Sequence, residues 1–263
     1  MQFLLNSNKY HNTDAEKETI IGFNIPLSAA LKLNTDGAMR ITSEQLKSWR
    51  SCKEGYGWFL RRFPGGSAEY QEVLNALAED SLPEYAEWLM NHVGPDPETE
   101  IEVDAVFSGK HLFCSGTLIA RNGIAVEGKL LVGLDIDAAG DIDVGGDIQA
   151  GGNICAGGDI RAGGNIRTEG SIGAGGNIKT RGTINAVGRI SVGRDIFVDG
   201  NIGTGRGIKA GGGIKAGGCI EVCRGSGIFA GQRIQPVNWP HFARVEAQMK
   251  PDNLISGYWV DQA

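Results

Sequence analysis

The chain has 263 residues, 41 of them glycine, and a formal net charge of −6. It contains no run of about 20 apolar residues, the length of a membrane-spanning helix, and its first ten residues lack the apolar core of a signal peptide. The five cysteines have no metal-ligand spacing, which predicts reduced thiols in a cytoplasmic protein.

The first part of the chain, residues 1–105, is predicted to be an α+β domain that is mostly helical after residue 42. The segments TIIGFNI (residues 19–25) and ALKL (residues 30–33) predict short strands. Thr42 and Gln45 have the spacing of a capping box, which predicts a helix that continues through Trp49.

Two amphipathic segments follow, SAEYQEVLNALAED and LPEYAEWLMNHVG, and the second ends at a predicted helix stop, Gly94. The residues predicted to share a helix face are Tyr70, Val73, Leu74 and Leu77 in the first segment, and Tyr85, Trp88, Leu89 and His92 in the second. With the preceding CKEGYGWFLRRFP, these segments resemble, over about 45 residues, a small helical module of phage and prophage proteins. The acidic segment PDPETEIEVD (residues 95–104) is predicted to be a linker.

Residues 106–236 carry an aliphatic residue at every sixth position, without a miss from Leu118 to Ile220. The series is Leu118, Ile124, Leu130, Ile136, Ile142, Ile148, Ile154, Ile160, Ile166, Ile172, Ile178, Ile184, Ile190, Ile196, Ile202, Ile208, Ile214 and Ile220. Val106 and Leu112 extend it backward. After a two-residue phase slip within VCRGSG (residues 222–227), Ile228 and Ile234 are predicted to resume it.

Each hexad has a second regular feature, a small residue two positions after the aliphatic one, and usually a glycine four positions after it. Residues two apart lie on the same side of an extended strand, so each hexad predicts a short strand followed by a tight corner. A single hexad cannot bury its isoleucine, whereas stacked coils can, and a fixed period is typical of a solenoid. A glycine-rich linker would lack phased isoleucine, and collagen would need glycine at every third residue.

The motifs GDI.A and GNI.A in this region resemble those of bactofilin-like, polymer-forming β-helices, and less closely those of left-handed hexapeptide-repeat proteins, many of them acyltransferases. Either resemblance implies three hexads per triangular coil. About twenty hexads would then form six to seven coils. The expected fold is mainly β: a triangular β-solenoid behind an α+β domain, with residues 237–263 as a capping tail that contains four aromatic residues. These are Trp239, Phe242, Tyr258 and Trp259.

Catalytic motifs are missing from the sequence. None of the four histidines lies in the regular coils, since His111 precedes them and His241 follows them, and no Ser-His-Asp set, P-loop or HExxH motif occurs. We therefore expect no catalytic residue, no cofactor and no metal site. A hexapeptide-repeat acyltransferase is the enzymatic alternative.

The outer surface of the rod is the candidate functional region. With 18 residues per coil, the residues directly after the isoleucines should stack, as in the series Asp143, Arg161, Lys179, Phe197 and Lys215, and the residues directly before them should form a second series, Asp141, Asp159, Asn177 and Asp195. Arg194 and Arg206 replace the usual corner glycine. The candidate partner-binding residues are Arg161, Lys179, Arg194, Phe197, Arg206 and Lys215.

Charge along the rod is polarised. Residues 107–160 contain 3 Lys/Arg and 7 Asp/Glu, a net charge of −4, whereas residues 161–236 contain 11 and 4, a net charge of +7. This asymmetry favours an acidic protein partner at the C-terminal half of the rod, whereas a solvated surface of mixed charge is the simpler interpretation. A nucleic-acid or membrane partner is not expected.

The predicted function is a non-catalytic scaffold or protein-binding module, acting as a small homo-oligomer packed side by side. The phage-like module implies a phage-encoded factor that binds a host protein, for example a defence inhibitor. The bactofilin-like resemblance implies a filament-forming cytoskeletal protein as the alternative. A folded domain before the rod and an aromatic tail after it favour the first prediction, because capped repeats resist polymerisation.

Overall fold

The computed structural model describes residues 39–260, which form a small helical module followed by a long β-solenoid. The two strands predicted within residues 19–33 lie outside the described residues. The predicted fold class is confirmed: the solenoid is parallel, triangular in section and mainly β.

The helical module contains four helices and a two-stranded antiparallel sheet. The helices are α1 (Ser43–Ser48), α2 (Lys53–Arg62), α3 (Tyr70–Glu79) and α4 (Pro83–Val93), and the strands are β1 (Arg40–Thr42) and β2 (Ser67–Glu69). The capping box of α1 is confirmed. The amide of Gln45 donates to Thr42 Oγ1 over 3.2 Å, and the amide of Thr42 donates to Gln45 Oε1 over 2.8 Å. Helix α1 ends at Ser48, and Trp49 is its C-cap.

The predicted buried face is correct for α3 and only partly correct for α4. All four predicted residues of α3, from Tyr70 to Leu77, are buried. In α4 the buried residues are Pro83, Ala86 and Leu89, while His92 is exposed. The buried face of α4 is therefore the one shared by these three residues, which are spaced three apart along the helix.

The solenoid has three faces, which we number in chain order. Face 1 contains β3 (Glu100–Val103), β6 (Thr117–Ala120), β9 (Ile136–Ala138), β12 (Ile154–Ala156), β15 (Ile172–Ala174), β18 (Ile190–Val192), β21 (Ile208–Ala210), β24 (Ile228–Phe229) and β26 (Leu254–Ser256). Face 2 contains β4 (Val106–Ser108), β7 (Ile124–Val126), β10 (Ile142–Val144), β13 (Ile160–Ala162), β16 (Ile178–Thr180), β19 (Ile196–Val198), β22 (Ile214–Ala216), β25 (Arg244–Glu246) and β27 (Tyr258–Val260). Face 3 contains β5 (Leu112–Cys114), β8 (Leu130–Val132), β11 (Ile148–Ala150), β14 (Ile166–Thr168), β17 (Ile184–Ala186), β20 (Ile202–Thr204) and β23 (Ile220–Val222).

The strands pair with an 18-residue register, so that Ile142 lies between Ile124 and Ile160. The aliphatic residue and the small residue of each regular hexad point inward, and the residue between them points outward. Every isoleucine of the regular series is at most 5% exposed. The isoleucine stack is therefore the core that the hexad period predicts.

Glycine at most corners allows close backbone approach between coils. A Cβ at Gly163 would lie 1.9 Å from the carbonyl oxygen of Gly145. Where Arg181 occupies the equivalent position, the amide-to-carbonyl distance to the coil below is 3.4 Å, compared with 2.8 Å at Gly163. The glycines thus allow the coils to stack at full hydrogen-bonding distance.

The prediction of six to seven coils is too low, because the solenoid extends further in both directions than the hexad pattern and its longest faces have nine strands. The predicted linker contributes strand β3, with Asp96 and Thr99 buried beside it. At the other end, Ile234 does not resume the repeat. The residue stacked on Ile214 is Val245, because the chain first leaves the coil through a 3-10 turn (Pro236–Asn238) and helix α5 (Trp239–Phe242).

The helical module closes the N-terminal end of face 3. The side chain of Gln71 on α3 donates to the Phe113 carbonyl over 2.8 Å and accepts from the Ser115 amide over 2.8 Å. Its amide group therefore takes the place of a neighbouring strand along β5. Phe113 and Leu131, which point outward from face 3, are buried in the core of the module.

Candidate functional site

Four of the candidate partner-binding residues lie in one outward row on face 2. Arg161 is stacked against Lys179, Lys179 against Phe197, and Phe197 against Lys215. Below Arg161 the row contains Asp143, Ala125 and Phe107, and beyond Lys215 it continues to Glu246. The stacking that the 18-residue coil predicts is therefore present.

The cations of this row differ in their surroundings. Arg161 forms ion pairs with Asp159 and, over 3.5 Å, with Asp141, and Lys215 pairs with Glu246 over 3.0 Å. Backbone hydrogen bonding from Asn177, with a smaller contribution from Arg161, lowers the pKa of Asp159 below its usual value. Within residues 39–260, Lys179 has no ion-pair partner.

A groove of about 630 Å³ lies on this part of face 2. Its lining residues are Lys179, Phe197, Val198, Asp199, Lys215 and Gly217. Phe197 is 42% exposed, with a lysine from the coil below on one side and a lysine from the coil above on the other. The groove thus combines an apolar ring with two lysines and one carboxylate, that of Asp199.

The remaining two candidates lie at corners of the triangle. Arg194 is on the corner that leads from face 1 into face 2, beside the groove-bearing face. Arg206 is on the corner between faces 3 and 1, which is the vertex opposite face 2. Both side chains are exposed, and Arg206 cannot act together with the groove.

The row directly before the isoleucines has a structural role that the sequence interpretation missed. The Oδ1 atoms of Asp141 and Asp159 accept from the backbone amides of Asp159 and Asn177 over 2.7 and 2.6 Å. Asn165 does the same for the amide of Thr183 over 2.9 Å on another corner. The recurrence of Asp, Asn, Ser or Thr at this position is the signal, since these short side chains accept hydrogen bonds from nearby backbone amides.

His111 belongs to the same corner series. Its Nδ1 accepts from the amide of Lys129 over 2.9 Å. Burial, and next the positive charge of Lys129, lower the pKa of His111 below its usual value. His111 thus occupies the position that Asp147 and Asn165 occupy on the coils above. Of the other histidines, His241 is exposed on α5, and His92 Nδ1 lies 2.8 Å from the Trp88 carbonyl oxygen.

A second concave feature lies in the helical module, a mostly apolar cavity of about 220 Å³ between its helices. Trp58, Tyr85 and Trp88 contribute aromatic walls, and the polar lining residues include Ser51, Cys52 and Glu84. Across residues 39–260 there is no cluster of three or more His, Cys, Asp or Glu side chains that could hold a metal ion.

Comparison with known proteins identifies only the module. Residues 39–93 match the family model described as the YdhT N-terminal domain. The match covers helices α1–α4 and stops before the solenoid. Neither the curated proteins nor the solved structures gave a match to the chain. Among the residues that the structure describes, no helix is long and apolar enough to cross a membrane.

Proposed function

We propose that the protein is a non-catalytic β-solenoid scaffold that binds an acidic protein surface through the groove on face 2, and that it acts as a small homo-oligomer packed side by side. The observation that carries the proposal is the exposed Phe197 between Lys179 and Lys215. An apolar ring next to positive charge suits a partner that presents an apolar side chain beside carboxylates.

The regular solenoid makes this groove a rigid platform. Lys179 and Lys215 lie two coils apart, a separation of roughly 10 Å at the usual spacing between strands. Lys215 is held by Glu246, whereas Lys179 is available to a partner. Lys179 and Phe197 are therefore the residues on which affinity should depend most.

The resemblance of the helical module to phage and prophage proteins extends this proposal to a phage-encoded factor that binds a host protein, including a defence inhibitor. The match of residues 39–93 to the YdhT N-terminal domain supports a separate module at this place in the chain. The module is anchored on face 3 through Gln71, so it leaves face 2 accessible.

The test is a comparison of matched variants in partner capture and direct binding. The full chain, Phe197→Ala with Lys179→Asp, and a control with Asn185→Ala on face 3 would be used to capture proteins from a native host lysate. Asn185 has the same outward position in its hexad. The captured protein would then be purified and its dissociation constant measured at two salt concentrations.

We expect the groove variant to weaken binding at least tenfold, the control to bind normally, and higher salt to weaken binding of the full chain. A partner that binds the groove variant and the full chain equally well would refute the role of face 2.

A filament-forming scaffold of the bactofilin type is a second candidate, and the ends of the solenoid favour it. The outermost strands β3 and β4 at one end, and β26 and β27 at the other, have no strand partner on their outer edges among residues 39–260. Unpaired edges can template pairing with another chain. Growth of filaments by the purified full chain, seen by electron microscopy, would make this candidate the first.

The non-catalytic part of the proposal has its own test. The hexapeptide-repeat alternative would need a histidine as general base, and His111 already uses Nδ1 to accept a backbone hydrogen bond. We expect no transfer of an acetyl group from acetyl-CoA to amine or hydroxyl acceptors. Transfer that is lost in His111→Asn or His241→Asn would identify an enzyme.

A further inference from the structure

Face 1 carries an outward row of side chains that is complementary to the same row of a second copy running in the opposite direction. Opposite charges then face each other, and apolar residues face apolar residues. In stacking order the row is Glu102, Ile119, Asp137, Cys155, Gly173, Ser191, Lys209 and Phe229. Counted from Gly173, Asp137 is two coils below and Lys209 two coils above. Ile119 and Phe229 are three coils away on opposite sides.

From this arrangement we infer that two copies of the chain pair through face 1 as an antiparallel dimer, with the two-fold axis at Gly173. A two-fold axis in the plane of the interface and across the rods reverses the direction of one rod. Each Asp137 then faces Lys209 of the second copy, and each Ile119 faces Phe229. Both appositions occur twice in the dimer.

Two pairs of positions on the corners beside face 1 add to this complementarity. Arg206 lies on the corner before β21, two coils above Gly173, and Asp135 lies on that corner two coils below. Arg194 lies on the corner after β18, one coil above, and Asp159 is on that corner one coil below. In the antiparallel dimer, Arg206 therefore lies at the same level along the rod as Asp135 of the second copy, and Arg194 at the same level as Asp159. The dimer thus gives a role to Arg206, which the groove leaves unused, and a second contact to Arg194.

The polarisation of the whole rod supports the antiparallel orientation. The net charge is −4 in residues 107–160 and +7 in residues 161–236, and these oppositely charged halves face each other only when the two rods are antiparallel. The other two faces are poorer candidates. Face 3 is partly covered by the helical module, and reversing face 2 about its middle residue would place Lys179 against Lys179.

Charge reversal tests the pairing in the full chain. Sedimentation velocity and light scattering should give twice the monomer mass of 27.9 kDa for the unmodified protein. We expect Asp137→Lys to weaken the dimer at least tenfold, because it places two lysines opposite each other at two points. Combining Asp137→Lys with Lys209→Asp should restore the dimer. Asp143→Lys, at the same hexad position on face 2, is the matched control and should have no effect.

Disulfide cross-linking tests the orientation. The dimer places Cys155 of one copy opposite residue 191 of the other. The test variant keeps Cys155, carries Ser191→Cys, and has serine in place of Cys52, Cys219 and Cys223. It should form a covalent dimer on mild oxidation. Within one chain these two positions lie roughly 10 Å apart, too far for a disulfide. Ser191→Cys in a Cys155→Ser background should not cross-link, whereas a parallel dimer would cross-link there.

Several outcomes would refute the inference: a monomer at micromolar concentration, a dimer insensitive to Asp137→Lys, failure of the double reversal to restore it, or cross-linking in the parallel pattern. Variants of Phe197 and Lys179 should leave the dimer intact, since they lie on face 2. Failure of partner binding and failure of dimerisation are therefore distinguishable.

Discussion

At the scale of single residues, the position of a residue in the hexad decides whether its side chain is buried or exposed, and adjacent residues can differ completely. Ile178 has no exposed surface, whereas Lys179, the next residue, is exposed and points away from the core. The alternation follows from the two-residue period of a strand and holds along the regular coils.

Substitution by aspartate measures this difference. Ile178→Asp should destabilise the solenoid by about 4 kcal/mol or more, because it removes a large apolar side chain and buries a carboxyl group without a partner. Lys179→Asp should change the free energy of unfolding by less than about 0.5 kcal/mol, as is usual for exposed positions. Denaturant unfolding of both variants checks this, and equal stability would contradict the inward and outward assignment.

A second prediction at this scale concerns His111. Burial lowers the pKa of His111 in the folded state. As the pH falls, His111 therefore becomes protonated in the unfolded chain at a higher pH than in the folded chain. Stability should therefore decrease as the pH drops below about 6.5, the usual histidine pKa, and continue to decrease down to the lowered pKa of the folded state. Above pH 7 the residue should contribute no pH dependence.

The variant His111→Asn isolates this contribution, because an asparagine oxygen can accept from the Lys129 amide as Asn165 does from that of Thr183. Melting temperatures measured between pH 5 and 8 should show a smaller decrease at low pH for this variant. An unchanged pH profile would mean that His111 is not the group that titrates.

At the scale of the strand and its corner, many hexads have a hydrogen-bond acceptor, Asp, Asn, Ser or Thr, directly before the isoleucine. The amide of this residue lies at a corner, and the side chain of the residue one coil below accepts from it, as Asn165 does from Thr183. The motifs GDI and GNI therefore encode a ladder of side chains in addition to the ladder of the backbone.

Removing one member of this ladder should have a measurable effect. Asn165→Ala should cost about 1 kcal/mol of unfolding free energy, the usual value for one intramolecular hydrogen bond. Asn185→Ala, at an outward position of the neighbouring face, should have little effect. Both variants replace an asparagine with alanine. Similar unfolding curves would therefore show that the hydrogen bond from the Thr183 amide to Asn165 contributes nothing to stability.

At the scale of the whole molecule, the tail is part of the solenoid. Its strands β25 and β26 continue the sheets, and Val245 and Leu254 cover Ile214 and Ile228. Its exposed apolar residues, among them Phe242, Ile255 and Tyr258, lie at this end of the rod.

Deletion of residues 237–263 should expose the edges of β22 and β24 together with the isoleucines beneath them. We expect the shortened chain to self-associate more strongly than the full chain, because open strand edges and exposed isoleucine favour pairing. Light scattering and electron microscopy of both chains check this. A shortened chain that stays monodisperse would show that these edges do not drive association.

The sequence by itself determined the repeat, the inward and outward positions and the row that joins Arg161, Lys179, Phe197 and Lys215, because a fixed period specifies which residues stack. Only the tertiary structure decided where the solenoid ends, since β3 and β25 join it through non-repeating segments that the period does not describe. It also decided which cations are paired, because Glu246, the partner of Lys215, comes from the tail. Contacts of this kind depend on how distant parts of the chain meet, and hexad spacing carries no information about that.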